Sequence, residues 1–170
     1  MSIPDKVDVH LKYKELEKDF TATLQETWVL LDQFFREYLP AFEIAQKLTL
    51  NVDLQQLAKD LEGIVGFSPE GGNLLLPKNK LTDNESLSLW LTLQYLGNKL
   101  GLLKSECLSK EELQNKLGKT AKITGTRLGE LVKNEYATKT VDDQFRITTL
   151  GILMTQRDMI PKVRAKMGIA

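Results

Sequence analysis

The side chains best suited to covalent or metal chemistry are scarce in this chain, and they do not cluster. His10 is the only histidine and Cys107 the only cysteine among 170 residues. Zinc sites use several histidine or cysteine ligands, and nucleophilic catalysis pairs a serine or cysteine with a base such as histidine. Neither constellation can be assembled within one chain in its ordinary form, and no intrachain disulfide can form. Cys107 reads as a small half-buried filler ahead of a helix. Asp142 and Asp143 are of the right type to bind a metal, but an Asp-Asp pair at a hairpin tip is ordinary turn chemistry. The run Ser-Pro-Glu-Gly-Gly, Ser68 to Gly72, sets two glycines together, yet no GK[ST] follows and the spacing fits no nucleotide motif. The expectation is a protein that is not an enzyme, with no catalytic residue, metal or cofactor.

Charge is more informative. The chain carries 23 basic and 23 acidic residues, but they are unevenly spread. Residues 1–80 hold 9 Lys/Arg against 13 Asp/Glu, and residues 81–170 hold 14 against 10. From Lys116 onward the balance is 11 against 5, which points to an anionic partner for the carboxyl-terminal part. With 42% apolar and 27% charged residues, the composition is that of a soluble globular protein. No apolar run approaches the ~20 residues that span a bilayer, and the first residues lack the apolar core of a signal peptide. A cytoplasmic location away from membranes is expected.

The elements that must position the basic residues follow from periodicity and caps. Val7, Val9, Leu11 and Tyr13 alternate with polar residues, the period of a half-buried strand. From Lys14, steps of three and four through Leu16, Phe20, Leu24, Trp28, Leu31, Phe35 and Tyr38 predict one long amphipathic helix, which Pro40 would end. Its large apolar side chains suit either core packing or a dimer seam. Leu39 to Leu50 is ambiguous between helix and strand. A short helix carrying Leu54, Leu57, Leu61 and Ile64 follows, capped by Asn51 or Asp53. Ser68 to Gly72 reads as a turn and Leu74 to Pro77 as a brief extended segment. Thr82 to Glu85 is a capping box opening a helix that is apolar over much of its circumference and therefore buried on more than one side.

Beyond Cys107 the signals sharpen. Ser109 to Glu112 is a second capping box, Leu113 and Leu117 face inward, and Gly118 can take the left-handed conformation that stops a helix. A further helix, opened by Lys119 or Thr120, runs through Leu128 and Leu131 to about Asn134. Two short helices joined by a glycine-containing turn form a helix-turn-helix. The stretch from Glu112 to Ala137 resembles the core of prokaryotic winged helix-turn-helix regulators. In that family Leu-Gly closes the second helix, leucines recur at set intervals, and an aromatic or aliphatic residue opens the first wing strand. Gly118, Leu128, Leu131 and Tyr136 stand at those intervals. Tyr136 to Thr140 and Phe145 to Thr148 fit the wing strands, Val141 to Gln144 their turn, and Thr149-Leu-Gly151 the step into a final helix. The resemblance covers residues 108–151, or 82–151 with the preceding helix. Three positions depart from it: Glu135 replaces a usual glycine, Thr124 a usual aliphatic residue, and Gly125 lies inside the recognition helix at a cost of ~1 kcal/mol relative to alanine.

The resemblance implies a recognition helix in the major groove, presenting Lys119, Thr120, Ala121, Lys122, Thr126 and Arg127 to the duplex. Lys139 and Arg146 on the wing would meet phosphates. The expected fold is mainly α, with a helical amino-terminal half holding a small extended element, fused to a carboxyl-terminal winged helix with a two-stranded wing. Residues 1–80 would be the helical region, available for dimerisation or a protein partner, and 81–170 the winged helix domain with its final helix. The expected function is sequence-specific binding of double-stranded DNA as a homodimeric transcriptional regulator. The alternative is a non-catalytic adaptor whose winged helix docks on another protein.

Overall fold

The computed structural model describes residues 6–13, 15–38 and 48–168. The chain divides into two compact units, residues 1–49 and 50–170. In the first, β1 (Lys6–Tyr13) and β2 (Leu16–Thr23) form an antiparallel hairpin in which His10 stands opposite Asp19, and α1 (Leu24–Tyr38) follows directly. The hairpin has one polar face. Thr21 Oγ1 donates to Asp8 Oδ1 at 2.6 Å, and His10 lies between Asp19 at 2.5 Å and Glu17 at 3.1 Å. Both ring nitrogens thus meet carboxylates, and the hydrogen bond to Asp19 raises the His10 pKa above its usual 6.5. Thr23 starts α1: its Oγ1 accepts from Glu26 N at 3.4 Å, while Glu26 Oε2 accepts from Thr23 N at 3.0 Å. On α1, Thr27 and Phe34 are buried, whereas Leu24, Trp28 and Val29 are 63%, 69% and 66% exposed.

In the second unit, α2 (Leu54–Asp60) is capped by Asp53, whose carboxylate accepts from the amides of Gln55 and Gln56. Leu57, Leu61 and Ile64 are fully buried there. A second hairpin, β3 (Val65–Ser68) and β4 (Gly71–Leu74), leads through a 3₁₀ turn at Lys78–Lys80 to α3 (Asp83–Lys99). The capping box of Thr82 and Glu85 is formed in both directions. Leu87, Leu89, Trp90, Leu91, Leu93 and Leu96 of α3 are all buried, because α2, β4, α4, α5 and β7 cover it from several sides. Each such leucine contributes on the order of 2 kcal/mol of apolar burial.

After α3 come β5 (Leu108–Ser109), α4 (Lys110–Leu117) and α5 (Ala121–Lys133), then β6 (Ala137–Lys139) and β7 (Gln144–Ile147). Gly118, at φ 71° and ψ 32°, takes the left-handed turn between the two helices. The chain closes with α6 (Thr149–Met154), a π turn over Thr155–Met159 and α7 (Ile160–Met167). Pro161 lacks the amide that a regular helix would need there, and the widened turn lies just before it.

The expected mainly α fold is corrected. The protein is mixed α/β with three small antiparallel sheets, and its amino-terminal part is not a helical half. The long helix expected from Lys14 begins only at Leu24, because Leu16–Thr23 is a strand. Lys18 occupies an apolar-face position of that strand, so Leu16, Phe20 and Leu24 are left at four-residue spacing and imitate a helix. The turn read at Ser68 to Gly72 joins a paired hairpin, and the segment read as extended from Leu74 to Pro77 overlaps its second strand only at Leu74. The carboxyl-terminal sheet has three strands in the order β5-β7-β6, since Leu108 and Ser109 pair with Phe145 and Gln144. Most of the ambiguous stretch from Leu39 lies outside the described residues.

Candidate nucleic-acid interface

The surface of interest is built by α4, α5 and the β6–β7 hairpin. A capping box of Ser109 and Glu112 opens α4, and Thr120 opens α5 by accepting from Ile123 N at 3.4 Å. Thr124, Leu128 and Leu131 form the buried stripe of α5. That stripe fixes which residues face outward. Lys119, Thr120, Ala121, Lys122 and Thr126 are all exposed. Lys119 and Lys122 form no ion pair among the described residues. Thr126 Oγ1 donates to the Lys122 carbonyl at 3.0 Å, leaving its methyl free for apolar contact.

Arg127 is placed differently. It is half-buried, donates through Nη1 to Glu130 Oε1 at 2.8 Å, and lies 3.7 Å from Asp83 at the start of α3. Glu130 also accepts from Asn84 at 3.0 Å, and these bonds, Asn84 first, hold its carboxyl below the usual range. Arg127 therefore ties α5 to α3 through Glu130 and Asp83.

Both wing cations are also engaged. Lys139 pairs with Asp143 across the turn. Arg146 donates to Glu106 at 2.7 Å, and Lys99 stands 3.5 Å from the same carboxylate. The Arg146 hydrogen bond is the main cause of the lowered pKa of Glu106. Asp143 has φ 61°, so the pair read as turn chemistry includes a residue in left-handed conformation. Among the described residues no group of three or more His, Cys, Asp or Glu is arranged to hold a metal ion.

One cation near α5 escapes a reading confined to that helix. Lys110, the first residue of α4, lies across Gly125: a Cβ there would sit 3.1 Å from the lysine Nζ and 3.3 Å from Cε. Gly125 thus makes room for an ammonium group on the α5 surface, which accounts for a glycine inside a helix. Lys110, Gly125, Gly129 and Lys139 border a groove of about 330 Å³ between α5 and the hairpin. No local pattern announces this contact, because its partners stand fifteen residues apart on different helices.

Among the described residues no helix is long and apolar enough to cross a membrane. Comparison with family models, curated proteins and solved structures finds no match for this chain.

Proposed function

We propose that residues 82–151 act as a winged helix-turn-helix that binds double-stranded DNA with sequence preference, as a transcriptional regulator does. The observation that carries this reading is that Lys119 and Lys122, at the amino-terminal end of α5 beside the small residues Ala121 and Thr126, are exposed and form no ion pair among the described residues. Lysines there can meet phosphates or guanine acceptors, and the Thr126 methyl can meet thymine. Small neighbours allow the helix to approach base edges closely. Lys139 and Arg146 contribute less than their charges suggest, since Asp143 and Glu106 already compensate them. Self-association belongs to the same proposal, with a second copy covering the exposed Leu24, Trp28 and Val29 on α1. The first unit spans only residues 1–49, and units of this size commonly gain stability by oligomerising.

Selection from a randomised duplex library tests the proposal. Enrichment of one motif is expected, with paired half-sites about one helical turn apart if the protein is dimeric. A flat selection would remove sequence preference from the reading. A second reading, protein docking, is favoured by one observation: Val132 is 36% exposed beside Gly129 at the groove between α5 and the hairpin, an apolar edge suited to packing.

A further inference from the structure

The 3₁₀ turn at Lys78–Lys80 lies outside the helix-turn-helix in sequence, yet it reaches the same end of α5. Lys78 and Lys119 border a groove of about 430 Å³ with Gly118 at its edge. Lys78 Nζ is 3.8 Å from where a Cβ on Gly118 would stand, so the ammonium lies directly over the turn between α4 and α5. Lys116, two residues before that turn, has its Nζ 3.9 Å from the centre of the Trp90 ring. Its pKa is lowered, first by burial and in smaller part by repulsion from Lys78, with Glu112 acting in the opposite direction. The carboxylate bordering the groove is Asp83, and it stands 3.7 Å from Arg127. Lys78, Lys116 and Lys119 form no ion pair among the described residues. Three cations are thus gathered from two separate segments without a dedicated counter-ion.

We propose that Lys78, together with Lys119, holds a backbone phosphate of the bound nucleic acid, so that the turn before α3 clamps the strand beside α5. This rests on the nucleic-acid reading above. A phosphate so placed would offset the repulsion between Lys78 and Lys116, adding to the compensation that Glu112 gives Lys116. The contact would be to the backbone and would carry no sequence information.

Duplex binding by fluorescence anisotropy over a salt series tests the clamp, with Lys78→Gln compared with Lys59→Gln, an exposed lysine on α2. Lys78→Gln should weaken binding several-fold on preferred and scrambled duplexes alike, and flatten the log-log salt slope by ~0.9. Lys59→Gln should leave both unchanged. If the parent binds and Lys78→Gln matches it, or if Lys59→Gln loses as much, the clamp is overturned while the nucleic-acid reading survives. If the parent binds no duplex at low salt, both fall together.

Discussion

Gly151→Ala should destabilise the second unit by about 2–5 kcal/mol. A Cβ at this position would stand 2.0 Å from the Tyr136 carbonyl oxygen, 2.8 Å from its carbon and 2.9 Å from Ile147 Cγ1. Ordinary carbon–oxygen contacts begin at about 3.3 Å, so the start of α6 must withdraw from the chain ahead of β6 by more than ~1 Å. Both sides of the clash are pinned. Tyr136 O accepts from Thr148 N at 3.0 Å and Thr148 Oγ1 at 3.2 Å, while Gly151 N donates to Thr148 Oγ1 at 2.9 Å. Loosening two or three such bonds costs about 1 kcal/mol each, and overpacking adds ~1–3 kcal/mol. Replacing a helical glycine by alanine returns about 1 kcal/mol. Gly129→Ala isolates that return, since nothing lies within 4 Å of its missing Cβ and it sits inside α5. Thermal unfolding followed by circular dichroism should therefore move in opposite directions: down by roughly 10 °C for Gly151→Ala and up by a few degrees for Gly129→Ala. A Gly151→Ala midpoint at or above that of the parent would refute the close-approach argument.

Other substitutions probe separate parts of the account. Thr124 is fully buried and its hydroxyl finds no hydrogen-bond partner among the described residues, so Thr124→Val should stabilise by about 1 kcal/mol in denaturant melts. A loss of stability would mean that the hydroxyl is satisfied. Asp143→Asn keeps a residue that tolerates φ 61° and releases Lys139; at ~0.1 M salt it should raise duplex affinity about eightfold, the worth of one added phosphate contact. Unchanged affinity would place the wing away from the backbone. The His10 imidazole, followed by NMR, should titrate above 6.5, and Asp19→Asn should lower its midpoint. Because the folded pKa is raised, the stability that it lends the hairpin is complete below the unfolded value and is lost as pH rises through the folded one. A midpoint at 6.5 in both proteins would remove that contribution.

What could be read from the sequence was local. Thr82 with Glu85, and Ser109 with Glu112, mark helix starts because each box closes within four residues. Gly118 marks a stop because the left-handed turn needs little else. The departure noted at Glu135 has a structural counterpart, since that residue sits at φ 61°, where glycine is easily accommodated. The failures arose where a local pattern was ambiguous or a partner was remote. Lys18 breaks the alternation of β2, and the four-residue spacing left behind reads as helical, although Thr23 and Glu26 form a capping box at the true helix start. The strands of two to four residues in the second unit are too short to show a period. Arg146 and Glu106 are 40 residues apart, so nothing local indicates that the arginine is engaged. Arg127 with Glu130 was accessible at three-residue helical spacing, but the second partner of Arg127, Asp83, comes from another helix.

The most direct test of the nucleic-acid reading is the salt dependence of duplex binding by the parent and by the Lys119→Gln/Lys122→Gln double variant. Two exposed lysines without ion-pair partners should each account for one released counter-ion, so the double variant should lose affinity and flatten the log-log slope by ~1.8. Its thermal midpoint should stay within a degree or two of the parent's, because exposed substitutions usually cost under ~0.5 kcal/mol. A parent that binds no duplex at low salt, or a double variant with unchanged slope and affinity, would contradict the account and leave α5 as a protein-docking surface.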